Sequence, residues 1–392
     1  MSMTQGPVRR GIAVVLYLLG VLLFLESASR AVLAVDDLFA RVATPDDDIW
    51  WRRQWQRRRT HEIPIYYSFD DPHPTRGWAV KPNLRNLPVF GGKVLSSNSG
   101  GARGAREYAE PKPDGVVRVL VFGDSLTFGD QVSDDETYVA HLQATLSGTE
   151  VLNLGVHGYG HDQMLLYLKE VGARYKPDVI LLGFTTIDME RNLLGFRDFM
   201  KPRFDLVRDH LVLRNTPIPE PRVVRARDPY RSRLVDLGTL LYDRLRWRSD
   251  GRAERMEAVT GAILDEFRRT AVALAAVPVF VFLPIEDEIT LPETRPSPEE
   301  RFFFRYCRDR GIQAIDLRPV FQAWLKRGVA LKDVGHWDPL EHRIAAEGIQ
   351  AYLLAQRLIS GAHPAEPASG PTTTSHWVLP PTLSALVAGG AR

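Results

Sequence analysis

A serine and a distant aspartate–histidine pair are the residues whose types and spacing could do chemistry. Ser125 lies in the run GDSLTFG (residues 123–129), and Asp333 and His336 lie in the run DVGH (residues 333–336). A serine hydroxyl becomes a nucleophile when a base accepts its proton and a third group fixes the tautomer of that base. Taken alone, each pattern has an ordinary alternative, since a serine at this position can be a helix N-cap and D-x-x-H is a common surface pattern.

The elements that must position these residues alternate between strand and helix. Such alternation implies parallel strands joined by right-handed crossovers, and hence a three-layer α/β/α domain with a flavodoxin-like parallel sheet. The β-branched and apolar runs predict strands at 118–122, 150–154, 178–183, 277–283 and 313–317, and apolar residues at helical spacing predict helices at 137–146, 162–175, 254–275, 299–310 and 341–358.

Reactive groups collect at the carboxyl ends of the strands in sheets of this kind. Ser125 follows the first predicted strand, NLGVHGYG (residues 153–160) contains the end of the second, and the DVGH run follows the last. The glycines of NLGVHGYG do not match the dinucleotide pattern G-x-G-x-x-G, so no nucleotide cofactor is expected. His342 lacks partners at ligand spacing and Cys307 is the only cysteine, so no metal site is expected.

In combination, GDSLTFG, NLGVHGYG and DVGH resemble the SGNH/GDSL hydrolase family over about residues 118–358. The upstream run SNSGGARG (residues 97–104) and the run GHDQMLLYLKE (residues 160–170) resemble its bacterial membrane-anchored subgroup. The resemblance implies Ser125 as nucleophile, His336 as general base and Asp333 as the acid that orients it. It also implies an oxyanion hole that includes the backbone N–H groups of Ser125 and Gly158.

One position departs from the family pattern. Ile187 stands before Asp188, where the family has an asparagine that serves the oxyanion hole. Isoleucine donates no side-chain hydrogen bond, and loss of one oxyanion donor typically costs about 100- to 1,000-fold in turnover. Three outcomes are open: Thr185 or Thr186 supplies the donor, the backbone groups suffice, or the enzyme is weak. We take Thr186 as the expected third donor.

The N-terminus carries an apolar run at residues 11–25, preceded by Arg9 and Arg10. At about 1.5 Å per residue this run is about 22 Å long, against about 30 Å for the hydrocarbon core of a membrane. A single membrane anchor, a signal peptide cleaved near residues 27–29 and a buried core helix are the alternatives. In the first two, the arginines keep the N-terminus in the cytoplasm and place the rest of the chain outside the membrane, in the periplasm or cell envelope.

Length, composition and net charge limit the class of protein and its division into domains. The chain has 392 residues, 44% of them hydrophobic, and a net charge of +2, which is ordinary for a globular protein and disfavours nucleic acid as the main partner. We expect an anchor or signal segment at 1–35, an extension packing on the core at 36–115, a hydrolase domain at 116–360 and a flexible tail at 361–392. An arginine- and proline-rich insert at 191–251 is expected to be either a lid or wall over the strand edge or a solvated excursion.

These features together predict a membrane-tethered serine esterase or O-acyltransferase that acts on an acyl ester of a glycan or lipid. The alternative is a catalytically weak relative that binds glycan or scaffolds a cell-envelope assembly, and Ile187 is the residue that motivates it. Substrate class is inferred from the family resemblance only.

Overall fold

The structure is a computed structural model that describes residues 5–58, 67–110, 112–246, 251–290, 295–331 and 335–359. Asp333 and the predicted tail at 361–392 lie outside these residues. The α-helices are α1 (Gln5–Ala34), α2 (Asp36–Val42), α3 (Asp48–Gln56), α4 (Ser125–Phe128), α5 (Tyr138–Thr145), α6 (His161–Tyr175), α7 (Ile187–Arg191), α8 (Pro221–Arg227), α9 (Arg233–Arg246), α10 (Gly251–Ala273), α11 (Glu286–Thr290), α12 (Pro298–Asp309), α13 (Arg318–Leu325) and α14 (Pro339–Ala355). The strands are β1 (Asp70–His73), β2 (Gly77–Val80), β3 (Leu87–Val89), β4 (Lys93–Leu95), β5 (Val117–Gly123), β6 (Thr149–Gly155), β7 (Val179–Phe184), β8 (Phe196–Arg197), β9 (Phe199–Met200), β10 (Arg203–Val207), β11 (His210–Arg214), β12 (Val277–Phe282) and β13 (Gln313–Asp316).

A five-stranded parallel sheet forms the centre of the fold, in the order β6-β5-β7-β12-β13. Numbered along the chain within this sheet, that is the order 2-1-3-4-5, which is the flavodoxin-like arrangement. The predicted α/β class and its parallel sheet are confirmed. The order reverses direction beside β5, so the crevice where ligands bind in such sheets lies at the carboxyl end of the strand that precedes Ser125.

The strands are buried on both faces, as parallel sheets require. Alternate residues of β5 enter two separate apolar clusters: Leu120 and Phe122 join one, and Val119 and Val121 join the other. Helices α6, α10 and α12 contribute to the first cluster, whereas α5, α13 and α14 contribute to the second. The result is the three-layer α/β/α arrangement that the alternation of elements predicts.

The segment before the sheet and the first half of the insert pack against the first of these clusters. Phe69 and Trp78 come from the upstream segment, and Phe196, Phe199 and Phe204 come from the insert; all five side chains are buried in that cluster. The insert at this point is therefore a packed part of the core and not a solvated excursion.

The N-terminal helix α1 stands apart from the two clusters. Over Arg9–Ala34 it is long and apolar enough to cross a membrane, and none of its most apolar stretch is buried. Of the three alternatives, the buried core helix is therefore wrong, while a membrane span and a signal sequence both remain compatible with the helix. Further along, Leu33 packs with Phe39, Ile49 and Leu240, which joins the end of α1 to α2, α3 and α9.

A buried ion pair joins the insert to helix α6. The ammonium of Lys201 contacts the carboxylate of Asp162, both side chains are fully buried, and the carbonyl oxygens of Arg191, Leu194 and Pro202 accept further hydrogen bonds from Lys201. Breaking such a pair leaves an uncompensated buried charge, which is strongly destabilising.

We predict that Lys201→Met lowers the free energy of unfolding by about 3 to 5 kcal/mol, because the carboxylate of Asp162 loses its partner. The measurement is denaturant unfolding of the full chain in detergent. Lys169→Met is the matched control, because its partner Glu266 and Lys169 itself are partly exposed and such pairs contribute about 1 kcal/mol or less. Equal effects of the two substitutions would contradict the prediction.

Candidate active site

The serine of the GDSLTFG run begins the short helix α4. Oδ1 of Asp124, the N-cap residue, accepts a hydrogen bond from the backbone N–H of Leu126 at 3.0 Å. Gly129 ends the helix with φ of 91°, in the left-handed region that glycine enters without a Cβ penalty. Ser125 is 7% exposed, so it lies at the surface of the strand ends with only a small opening to solvent. Asp124 thereby stabilises the turn that begins at Ser125.

Three strands bring glycines to the turn that holds Ser125. A Cβ on Gly155 would lie 2.4 Å from the backbone nitrogen of Phe128, and a Cβ on Gly123 or Gly183 would lie 2.0 or 2.6 Å from Oγ1 of Thr127. These distances are shorter than any non-bonded contact can be. The absence of side chains at the ends of β5, β6 and β7 therefore lets α4 lie directly on the sheet edge.

Two further side chains hold the end of the turn in place. The guanidinium of Arg103 donates to the carbonyl oxygens of Phe128 at 2.7 Å and Val132 at 2.6 Å. The side-chain amide of Asn153 donates to the carbonyl oxygen of Thr127 at 2.9 Å. Both donors are buried, and buried backbone carbonyls need such partners. The SNSGGARG run, which the sequence marks only by family resemblance, thus supplies a clamp for the turn.

The predicted nucleophile and base come together across the sheet edge. Nε2 of His336 lies 3.0 Å from Oγ of Ser125, within hydrogen-bonding distance for a base and its nucleophile. The side chain of His336 is 30% exposed. Its neighbour Trp337 is buried and donates from Nε1 to the carbonyl oxygen of Pro284, just beyond β12, at 3.2 Å. Asp333, the predicted orienting acid, lies outside the described residues.

A carboxylate that the sequence reasoning missed lies beside the same imidazole. Oδ2 of Asp130 is 3.8 Å from Nε2 of His336, and Tyr67 donates to this oxygen at 3.4 Å. Burial raises the pKa of Asp130, an effect that the nearby imidazoles of His157 and His336 oppose. The signal was present in the sequence, because Asp130 directly follows the GDSLTFG run.

The backbone donors expected of the oxyanion hole are available. Within the described part of the chain, the N–H groups of Ser125 and Gly158 donate no hydrogen bond. Gly158 has φ of 74°, in the left-handed region, and it lies in the loop after β6. Two unpaired N–H groups at strand ends are the donors that a developing oxyanion accepts in acyl transfer.

The two threonine hydroxyls that precede Ile187 already donate hydrogen bonds to carboxylates. The hydroxyl of Thr186, the expected third donor, donates to Oε1 of Glu288 at 2.7 Å, and the hydroxyl of Thr185 donates to Asp124 at 3.3 Å. Ile187 itself is 43% exposed. In this conformation neither threonine proton is free to serve an oxyanion.

A buried charge network supports the turn from below. One nitrogen of Arg191 donates to Asp188 at 2.6 Å, to Asp124 at 3.1 Å and to the carbonyl oxygen of Tyr159 at 3.0 Å. Burial and the nearby carboxylate of Asp124 raise the pKa of Asp188 well above its usual range. Asp188 thus braces this loop through Arg191 and is not the N-cap of α7, which is Thr186.

Two histidines near the end of the second strand of the sheet, His157 and His161, are buried. Nε2 of His157 lies 2.8 Å from Asp70, and its Nδ1 lies 3.9 Å from Asp130. Burial alone would lower the pKa of His157, but these two carboxylates outweigh it and raise the pKa. His161 stacks on Phe184, and burial lowers its pKa to about 3.

Among the described residues, no group of three or more His, Cys, Asp and Glu side chains is arranged to hold a metal ion. His342, weighed above as a metal ligand, accepts a hydrogen bond at Nδ1 from the backbone N–H of Tyr138 at 3.2 Å. It is buried against Tyr138 and Trp337. The imidazole therefore positions the start of α5 and α14.

Comparison with known proteins gives matches among solved structures. No family model matches the chain, and no curated protein matches it. A member of the lipolytic G-D-S-L family from Veillonella parvula is 13% identical, with 60% of this chain and 97% of that chain covered and a TM-score of 0.36. The esterase EstA from Pseudoalteromonas sp. is 14% identical (60% and 98% covered, TM-score 0.34), and the acetyl xylan esterase AlAXEase is 14% identical (60% and 98% covered, TM-score 0.36). At these identities and TM-scores an activity has to be argued from the site itself.

We predict that Gly155→Ala lowers the free energy of unfolding by about 1 to 3 kcal/mol, because the new methyl group overlaps the backbone of the serine turn. Thermal or denaturant unfolding of the full chain measures the loss. Gly238→Ala is the matched control, because a Cβ there meets no atom within 4 Å. A Gly155→Ala protein as stable as the control would show that α4 does not depend on this close approach.

Proposed function

We propose that this protein is a membrane-tethered serine esterase or O-acyltransferase of the SGNH/GDSL type. The observation that carries the proposal is the 3.0 Å contact between Oγ of Ser125 and Nε2 of His336. These two residues are 211 positions apart in the chain, so their contact depends on the tertiary fold. The unpaired N–H groups beside Ser125 and the family motifs around it support the same activity.

The proposed mechanism uses the residues in the following roles. Oγ of Ser125 attacks the acyl carbonyl carbon while Nε2 of His336 accepts the hydroxyl proton. The oxyanion accepts hydrogen bonds from the backbone N–H groups of Ser125 and Gly158. His336 then gives its proton to the leaving alkoxide, and Asp333 in its expected role stabilises the imidazolium. Water or an acceptor hydroxyl then attacks the acyl-serine and loses its proton to His336. The bond between the acyl carbon and Oγ breaks, His336 returns the proton to Oγ of Ser125, and the acyl group leaves as an acid or a new ester.

Helix α1 is proposed to remain attached to the protein as its membrane anchor. The carboxylate of Glu26 accepts hydrogen bonds from the backbone N–H groups of Arg233 and Leu234, both at 3.0 Å, and from the hydroxyl of Ser232 at 2.9 Å. It thereby caps the N-terminus of α9, where the first four backbone N–H groups have no partner within the helix. Cleavage near residues 27–29 would remove this cap, which favours an anchor over a signal peptide.

The proposed substrate is an acyl ester of a glycan or lipid outside the cytoplasmic membrane. The location follows from Arg9 and Arg10, which favour a cytoplasmic N-terminus, and the ester chemistry follows from the serine–histidine pair.

The second candidate is a catalytically weak glycan-binding or scaffolding protein. It is favoured by Ile187 and by the engagement of the Thr186 hydroxyl with Glu288.

The assignment of Ser125 and His336 is tested with a serine-directed fluorophosphonate probe and with turnover of p-nitrophenyl acetate by the full chain in detergent. We expect wild-type labelling and turnover, no labelling of Ser125→Ala, and a loss of about 1,000-fold or more in turnover for His336→Ala, because among the described residues His336 is the base that hydrogen-bonds this hydroxyl.

Ser133→Ala is the control, since Ser133 follows the same turn but precedes a short helical segment, and its hydroxyl accepts a hydrogen bond from the backbone N–H of Val94 at 3.2 Å. Labelling that survives in Ser125→Ala would refute the nucleophile. Wild-type protein that neither labels nor turns over ester would favour the weak, non-catalytic candidate.

The role of Thr186 is tested separately. Because its hydroxyl donates to Glu288, we expect Thr186→Val to lower kcat by less than about tenfold, against the 100- to 1,000-fold loss that removal of an oxyanion donor causes. Thr185→Val, which removes a contact to Asp124, is the neighbouring control. A loss of 100-fold or more in Thr186→Val alone would show that Thr186 turns toward the oxyanion during the reaction.

A further inference from the structure

An arginine-lined cavity lies where helix α1 meets the rest of the protein. It has a volume of about 360 Å³. Its lining combines five arginines with three large apolar residues: Arg30, Arg52, Arg53, Arg57 and Arg233, and Leu33, Phe39 and Ile49, completed by Ala34 and Gln56. These residues come from α1, α2, α3 and α9. The cavity is remote in sequence from the serine site and has no role in the mechanism above.

The charge of this cavity is positive. No Asp or Glu is among its described lining residues. Among the described residues, four carboxylates pair with its five arginines, and all four lie outside the lining: Glu26, Asp36, Asp228 and Asp236. Burial, and to a lesser degree the nearby Arg231, lower the pKa of Arg52. An anion in the cavity would relieve the repulsion between these arginines.

The cavity lies at the height of lipid headgroups if α1 crosses a membrane. Arg10 and Arg30 are separated by twenty residues of continuous helix, or about 30 Å. That is about the thickness of the hydrocarbon core. With Arg10 at one surface, Arg30 and the cavity reach the phosphate layer of the opposite surface. Leu33, Phe39 and Ile49 then offer an apolar wall beside the charged one.

An exposed tyrosine lies in the loop that contacts Arg30, at the same depth relative to the membrane as the cavity. The guanidinium of Arg30 donates to the carbonyl oxygens of Pro229 and Arg231 at 3.5 and 3.3 Å. Between these two residues, Tyr230 is 89% exposed. Tyrosine is enriched at membrane–water interfaces, where its ring is apolar and its hydroxyl hydrated. The loop at the start of α9 therefore fits a position against the membrane surface.

We propose that this cavity binds the phosphate of an anionic phospholipid headgroup at the membrane surface where α1 emerges. Guanidinium groups bind phosphate oxygens in a planar, charge-assisted geometry, and the apolar wall contacts the glycerol and first acyl carbons. The lipid fills the angle between α1, α3 and α9 and fixes the orientation of the domain to the membrane. The inference rests on the membrane anchor of the proposed function and not on its ester chemistry.

The test uses the purified full chain in a non-ionic detergent and calorimetric titration with three probes: dihexanoyl phosphatidylglycerol, dihexanoyl phosphatidylcholine and inorganic phosphate. We expect phosphatidylglycerol to bind at least about tenfold more tightly than either of the others, because only it combines net negative charge with an apolar part. Removing one arginine near an anionic lipid weakens binding about fivefold. We therefore expect Arg57→Gln to weaken it about fivefold, and Arg52→Gln with Arg57→Gln about twentyfold.

Arg305→Gln with Arg310→Gln is the matched control, because these two surface arginines pair with Glu257 and Asp265 far from the cavity. Arg57 is half exposed, so its single variant keeps the test valid if the double variant does not fold. Equal binding of the two lipids, unchanged binding in Arg57→Gln, or phosphate binding as tight as the lipid would overturn the proposal. Ester turnover measured on the same samples separates this result from the fate of the serine site.

Discussion

The contact of one helical turn with the ends of three strands is the constraint on which the site depends. Helix α4 can rest on the sheet edge only because Gly123, Gly155 and Gly183 bring no side chain there. That close approach sets the position of the Ser125 hydroxyl relative to the switch point of the sheet. Any added carbon at these positions would lift the turn, and with it the nucleophile and its backbone N–H.

The rest of the molecule holds this contact rigid. Arg103, from the segment before the sheet, clamps the end of the turn, and Arg191 binds the carboxylate of Asp124 beneath it. Lys201, from the insert, reaches Asp162 at the start of α6. Parts of the chain that lie outside the regular alternation of strands and helices thus act as supports for it, because buried charges and carbonyls need partners that the sheet and its helices do not supply.

Periodicity along the chain was sufficient to predict the architecture. The first strand was expected at 118–122 and is found at Val117–Gly123, and the helix expected at 162–175 is found at His161–Tyr175. Apolar runs and helical spacing are local properties, so they can be read without knowledge of the fold. The rule that reactive groups meet at carboxyl strand ends, together with the family resemblance of the motifs, then indicated Ser125 and His336, which lie 3.0 Å apart.

The partners of individual polar side chains could not be predicted in the same way. Thr186 was expected to be an oxyanion donor, but its hydroxyl donates to Glu288, and no pattern in the sequence indicated Asp70 as the partner of His157. The amino-acid sequence alone determined the class of fold, the apolar N-terminal helix and the residues able to do chemistry. Only the tertiary structure decided which hydrogen bonds those residues make, because such contacts join segments far apart in the chain and depend on the packing of every element between them.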